Sequence, residues 1–152
     1  MTLSNTYKRS EQSLKIVIGL QPKAQSRPRF SKWGTYEESS MKEWKSNFKT
    51  MLKLQKPRLI EQGAISLIIT FYVKAPQYIV KKKSNQDDLL HERIFVDKRP
   101  DLDNYLKAVM DASNGILYKD DGQIAVIACQ KLYSLKPRIE IEIERLMKHE
   151  ND

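Results

Sequence analysis

The sequence predicts an α+β fold, a single domain in which helices pack on a mixed β-sheet, and three observations carry that prediction. Two stretches, Ala64 to Lys74 and Arg138 to Leu146, alternate apolar and polar residues with the period of a β-strand. Two others, from Ser39 or Ser40 to about Leu54 and from Leu102 to Met110, repeat apolar residues at helical spacing. The elements follow as strand, helix, strand, helix, strand, strand, an order that lays helices on a sheet. With 152 residues the chain has room for one core, and 40% hydrophobic with 30% charged residues suits a globular protein, not a disordered one.

Residues 1–12 read as a flexible tail, polar and without the apolar core of a signal peptide. Residues 13–147 form the domain, and 148–152 a second short tail. Leu14 to Leu20, centred on Ile16, Val17 and Ile18, is the first strand. Gln21 to Gly34 reads as a loop carrying Lys23, Arg27, Arg29 and Lys32. Pro28 favours extended backbone, which puts Arg27 and Arg29 on one face. With Phe30 and Trp33 nearby, this loop can grip a phosphate backbone and stack on an exposed base. The plainer alternative is a solvated loop with aromatic anchors into the core.

Met41, Trp44, Phe48, Met51 and Leu52 line the apolar face of the first helix, and Lys42, Lys45, Lys49 and Lys53 its other side. Pro57 ends it and Gly63 marks a turn. In the next strand Ile65, Leu67, Ile69, Phe71 and Val73 face one way, and Ser66, Ile68, Thr70, Tyr72 and Lys74 the other. The mixed second face predicts a strand covered by a helix. Residues 76–98 are the least regular. Lys81, Lys82 and Lys83 either track phosphates or are a solvated loop, and a short helix is possible between Asp87 and Ile94. His91 has no cysteine or second histidine at metal-ligand spacing. At the far end, Gln123 to Tyr133 reads as an apolar strand and Ser134 to Pro137 as a turn. The strand from Arg138 has Ile139, Ile141 and Ile143 inward and Glu140, Glu142 and Glu144 outward. Together they predict a terminal antiparallel hairpin.

The formal charge of +8 favours an anionic partner, nucleic acid before membrane, since no stretch has the apolar length of a spanning helix. The single cysteine, Cys129, excludes an internal disulfide and fits a reducing, cytoplasmic compartment.

Against this basic background one stretch is acidic. Between Arg99 and Gln123 lie Asp101, Asp103, Asp120 and Asp121, at the two ends of a helix whose apolar face is Leu102, Tyr105, Leu106, Val109 and Met110. Clustered carboxylates repel, and a site that keeps them close commonly holds a cation. All-oxygen donors suit Mg²⁺, with Mn²⁺ as the alternative. Asp101 or Asp103 is also a natural N-cap, and Asp120-Asp121-Gly122 a natural turn. Asp101 and Asp103 converge only if the helix begins at about Asp103 or later. Lys107, four residues beyond Asp103, shares its face and can reach the cluster or a phosphate bound there.

Pro100-Asp-Leu-Asp-Asn-Tyr-Leu-Lys107, Asp111-Ala-Ser-Asn-Gly115 and Asp120-Asp-Gly-Gln-Ile124 resemble the core signature of the RusA-like Holliday-junction resolvases, small endonucleases of bacteria, phages and prophages. Arg27-Pro-Arg-Phe30 with Thr35-Tyr36 resembles that family's opening segment. The resemblance implies a RusA-like fold and a catalytic metal set at Asp101, Asp103 and Asp121, with Asp120 as a possible further ligand. It implies that Lys107 is needed for cleavage. Ser113 stands where many members carry leucine, a departure that bears on packing more than chemistry. The expected activity is a Mg²⁺-dependent crossover junction endodeoxyribonuclease in DNA recombination and repair, nicking four-way junctions in pairs. Two alternatives are a nuclease for flaps or branched DNA and a non-cleaving DNA-binding protein. One acidic site per chain and a two-fold substrate together predict a homodimer, with the strand from Ala64 and the helix from Ser40 as candidate interfaces.

Overall fold

The computed structural model describes residues 7–9, 13–26 and 29–148. The main sheet is built from β1 (Tyr7–Arg9), β2 (Leu14–Ile18), β5 (Ile65–Lys74), β6 (Ile124–Ser134) and β7 (Arg138–Lys148). A separate two-stranded sheet joins β3 (Arg29–Ser31) to β4 (Gly34–Tyr36). The helices are α1 (Ser39–Leu54), α2 (Gln77–Val80), α3 (Gln86–Leu90) and α4 (Leu102–Ser113).

The sheet is mixed, as expected. β5 runs parallel to β6 and antiparallel to β7, and β7 carries both β1 and β2 on its other edge. Its register sets one face: Ile16 opposite Ile141, Ile141 opposite Ile69, and Ile69 opposite Cys129. Helices α1 and α4 cover that face. Met41, Trp44, Phe48 and Leu52 of α1 are buried there, with Tyr105, Ala108, Val109 and Ala112 of α4. Each of the larger apolar side chains contributes about 1.5–3 kcal/mol by leaving water, and each alanine methyl less. One aromatic stack ties the layers, Phe71 of β5 on Tyr105 of α4 with centroids 5.3 Å apart, and a second lies within α1, Trp44 on Phe48 at 5.4 Å. No described helix is long and apolar enough to cross a membrane.

Four expectations change. The terminal hairpin does not form, because β5 lies between β6 and β7 and pairs with both. Alternation reveals which face of a strand is buried, not which strand lies beside it. The second face of β5 is dressed by neighbouring strands: Gln130 donates to the Thr70 hydroxyl, and the Arg138 guanidinium lies 3.8 Å from the Tyr72 ring centroid. Tyr7–Arg9, assigned to the tail, pairs with Leu146, Met147 and Lys148 of β7, since an edge strand needs backbone pairing and little apolar surface. The rest of the two tails, 1–6, 10–12 and 149–152, lies outside the described residues. The loop at Gln21 to Gly34 ends in the β3–β4 hairpin, which runs on to Tyr36 and whose three-residue strands are too short to show a period.

The irregular segment before α4 packs a small second core of Ala75, Leu89, Val96 and Tyr133. Its short helix, α3, ends at Leu90, and the His91 ring nitrogen sits 2.8 Å from the Asp87 carbonyl, a helix-end contact. The segment is fastened by Glu92, which accepts two hydrogen bonds from Arg138, at 2.7 and 2.8 Å. Those bonds, ahead of the opposing effect of burial, hold the Glu92 carboxyl below its ordinary value. A lowered pKa contributes stability above the ordinary carboxyl range and loses it as pH falls through the folded value. Glu92→Gln is expected to cost about 1–2 kcal/mol at neutral pH, and to flatten the loss of stability below about pH 4.5. Denaturant midpoints from pH 3 to pH 7 (roughly spanning the carboxyl range) check it; parallel curves for the two proteins would refute it.

Candidate active site

The acidic stretch is built around α4. Asp101 is its N-cap in extended conformation, and its carboxylate makes no capping hydrogen bond. The helix begins at Leu102, so Asp103 falls in its first turn, where the helix dipole favours a negative charge. Asp103, Lys107 and Asp111 follow at four-residue steps along one face. The Lys107 ammonium lies 3.9 Å from the Asp103 carboxylate.

Three side chains hold the segments that flank α4. Lys131, on β6, donates to the carbonyls of Lys98 and Pro100 at 2.6 and 2.7 Å and fixes the approach to Asp101. The peptide between Arg99 and Pro100 is cis. Gln123 fastens the second acidic segment. Its side-chain nitrogen donates to the carbonyls of Ile60 and Gly63, and its oxygen accepts from the backbone nitrogens of Lys119 and Asp120. Tyr118, fully buried, donates to the Met110 carbonyl at 2.8 Å and plugs the turn against α4. Burial, with the carboxylates of Asp121 and Asp111 adding to it, drives its pKa far up, so the phenol stays protonated.

Asp120 and Asp121 then differ. The Asp120 carboxylate accepts the Gly122 backbone N–H at 3.2 Å and closes a capping box with Gln123. That bond lowers its pKa. Asp121 is raised, first by its hydrogen bond with Asp120 and then by the charges of Asp120 and Asp111 around it. Asp120 serves the turn, whereas Asp121 faces an open cleft of about 220 Å³ lined also by Gln25, Lys107, Met110 and Asp111.

Asp111 is a member that the sequence did not single out. It receives a hydrogen bond of 2.9 Å from Lys45 of α1, a buried lysine that also bonds Glu37. Burial works against charge on Lys45, but the bonds to Glu37 and Asp111 outweigh it and raise its pKa. Helical periodicity placed Lys45 on the solvated basic side; its charge pairing with α4 is a long-range contact that no local pattern reveals.

The expected metal set is only partly gathered. Asp103 and Asp111 are eight residues apart on one helix, about 12 Å along its axis. Asp121 sits beside the Asp111 end, and Asp101 and Asp103 are not among the residues lining the cleft. Among the described residues no group of three acidic, histidine or cysteine side chains can hold one ion. The donor chemistry nonetheless fits a hard divalent cation, being all oxygen and solvent-exposed, with the Asp103 side chain 67% exposed.

Of the expected DNA contacts, Lys32 lies at the tip of the β3–β4 hairpin, its ammonium 5.1 Å from the Trp33 ring centroid. Arg29 opens β3, and Arg27 lies outside the described residues. Lys81, Lys82 and Lys83 are exposed between α2 and α3 and do not line the cleft. Cys129 is half-buried under the helices, and burial raises its thiol pKa, as an inert cysteine requires.

The chain matches the family described as Endodeoxyribonuclease RusA over residues 19–144. It is also similar to a protein of Bacillus subtilis (strain 168) described as "Uncharacterized protein YqaN", at 29% identity over 137 residues, covering 88% of this chain and 96% of that protein.

Proposed function

The chain belongs to the RusA endodeoxyribonuclease family, and from that premise we propose that it is a divalent-metal-dependent endonuclease that resolves four-way DNA junctions by paired nicks during recombination and repair. The observation that carries this reading is the cleft where Asp121, Asp111 and Lys107 meet on a protein of net charge +8. A basic surface attracts the phosphate backbone, and the acidic patch within it suits a cation that the reaction needs.

In this reading Asp101, Asp103 and Asp121 would hold a Mg²⁺, with Mn²⁺ able to replace it. The ion, when bound, supplies Lewis-acid stabilisation of the charge that builds on the phosphate. Lys107 sits between the two carboxylate groups and places its ammonium against the same phosphate. Asp120 keeps the turn and so sets the direction of Asp121. Arg27, Arg29, Lys32 and the run Lys81 to Lys83 are phosphate contacts. Lys107→Ala is expected to slow cleavage by about a hundredfold while changing junction affinity little. Affinity itself should fall steeply between low and physiological salt, in proportion to the phosphates neutralised. Single-turnover rates and anisotropy titrations measure the two separately; a Lys107→Ala protein that binds weakly and cuts normally at saturation would reverse the assignment.

The functional test is digestion of matched linear duplex, flap and four-way junction DNA with Mg²⁺ or with EDTA. Symmetric nicks in the junction alone, and none in EDTA, are expected. Equal cutting of flaps and junctions would favour the branched-DNA nuclease, and tight binding without cutting would favour a non-cleaving binder.

Paired nicks need two active sites, so the proposed assembly is a homodimer. For such a dimer the strand from Ala64 offers a face and not an edge, and the helix from Ser40 its basic side. β5 is paired on both edges, and the apolar face of α1 is buried in the core. Sedimentation at micromolar concentration should give twice the 17.8 kDa chain mass; a monomer both free and on junction DNA would sink the paired-cut mechanism.

A further inference from the structure

We propose that the β3–β4 hairpin is an aromatic finger that stacks Phe30 and Trp33 on bases left without a stacking partner at the branch of the DNA, and so helps distinguish branched from linear substrate. This rests on the nuclease reading above and adds to it the element that senses the branch.

Phe30 and Trp33 are 85% and 87% exposed, whereas the other tryptophan, Trp44, is 9% exposed in the core. They are therefore not anchors that fasten a loop to the body. Single exposed apolar residues are ordinary, but two large aromatics within one short hairpin leave apolar area that water covers at a cost. The hairpin is also a built object. Phe30 pairs with Thr35 and Ser31 with Gly34, and the turn between them is Lys32-Trp33. The Ser31 hydroxyl donates to the Gly34 carbonyl and accepts from the Trp33 backbone N–H, both at 3.2 Å. Gly34 has φ of +119°, a conformation that favours glycine and lets the strand return. The indole is thus held at the tip of a fixed turn.

Charge and position identify the occupant. The Lys32 ammonium beside the Trp33 ring sets a phosphate-binding group next to a stacking surface, the pairing that single-stranded and unpaired nucleic acid selects. The foot of the hairpin leads to the acidic cleft. Thr35, Tyr36 and Glu37 line a hollow with Gln25, and Gln25 also lines the cleft of Lys107, Asp111 and Asp121. The Gln25 backbone N–H donates to the Asn104 carbonyl in the first turns of α4, tying that position to the acidic helix. A base inside a duplex has both faces covered, while a branch point offers free faces at little unstacking cost. A finger of this kind gains contact at a branch and none along an arm.

The test places 2-aminopurine either at the branch of a four-way junction or in the middle of one arm, and titrates it with protein in EDTA, which holds cleavage off. Wild-type protein should quench the branch probe and leave the arm probe unchanged. The double variant Phe30→Ala, Trp33→Ala should keep its thermal midpoint, lose the branch quench and bind the junction about tenfold more weakly, with duplex affinity unchanged. Quenching that persists in the variant would overturn the proposal. So would an equal loss on junction and duplex, or a change in sedimentation of the free protein, which would make a second copy the occupant. If wild-type protein binds neither DNA, the nuclease reading falls and this proposal with it; duplex and junction binding without a branch signal defeats the finger alone.

Discussion

Asp101→Asn, Asp103→Asn and Asp121→Asn should each abolish junction cleavage, by about a hundredfold or more, while the protein keeps its fold and its hold on DNA. Each change keeps side-chain shape and removes one negative charge. Removing a group one layer outside a metal's ligands already lowers affinity or activity by about 10–100-fold, so losing a ligand should do at least as much. None of the three is a core residue, and neither the Asp101 nor the Asp121 carboxylate caps its helical turn. Stability should therefore be unchanged, and Asp121→Asn should gain slightly. Its carboxyl is raised by Asp120 and Asp111, so above the ordinary aspartate range the ionised group repels its neighbours in the fold, and asparagine relieves that. Junction affinity should hold or tighten, because phosphate meets less negative charge. Cleavage at wild-type rate by all three would remove the carboxylates from the chemistry. Asp111→Asn tests the second carboxylate that lines the cleft, and Lys45→Met, which removes the ion pair and keeps Asp111, separates that role from the pairing.

The opposite pattern is expected of Phe71→Ala. Phe71 is fully buried in β5, which is paired on both edges, and its ring stacks on Tyr105 of α4. Truncating a buried phenylalanine costs about 3–5 kcal/mol through lost transfer free energy and the cavity left behind. That is a large share of the roughly 5–15 kcal/mol that stabilises a domain. The thermal midpoint should fall on the order of 10 °C. Tyr105 lies between Asp103 and Lys107 in sequence, so loosening its packing also frees the helix that presents them. Cleavage should then weaken along with stability, whereas in the aspartate variants the two separate. Calorimetry beside single-turnover rates makes the comparison; a midpoint lowered by less than about 2 °C would show that this contact does not bind helix to sheet.

Local patterns carried much of this molecule. The two-residue period of Ile65 to Val73 and of Ile139 to Ile143, and the helical stripe from Met41 to Leu52, each name the face that the fold buries. The acidic stretch stood out because four aspartates near its two ends interrupt a basic chain. What stayed hidden was non-local. No spacing reveals that Lys45 reaches Asp111, that Lys131 secures the carbonyls before Asp101, or that the Gln123 amide joins Lys119 and Asp120 to Ile60 and Gly63. Asp111, Ile60, Gly63 and the carbonyls before Asp101 lie tens of residues from the side chains that reach them, and a lysine or glutamine gives the same local signal whether it is solvated or bonded. The missing hairpin has the same origin. Ser134 to Pro137 has the composition of a tight turn, yet it steps across the end of β5, where the Ala75 N–H donates to the Ser134 carbonyl.

The position of β7 has a consequence for how the protein is made. Three strands, β1, β2 and β5, pair with β7, and β7 follows all of them in the chain. On the ribosome the sheet cannot assemble around its centre until that last strand has emerged. Until then β2 has no partner, and β5 exposes one edge and an apolar face, a state open to association with other chains. Such distant pairings close large loops and make for slow folding. Synthesis that stalls before Arg138 would release a chain with α1, α4 and the acidic stretch complete, and only the β5–β6 pair of the sheet to hold them.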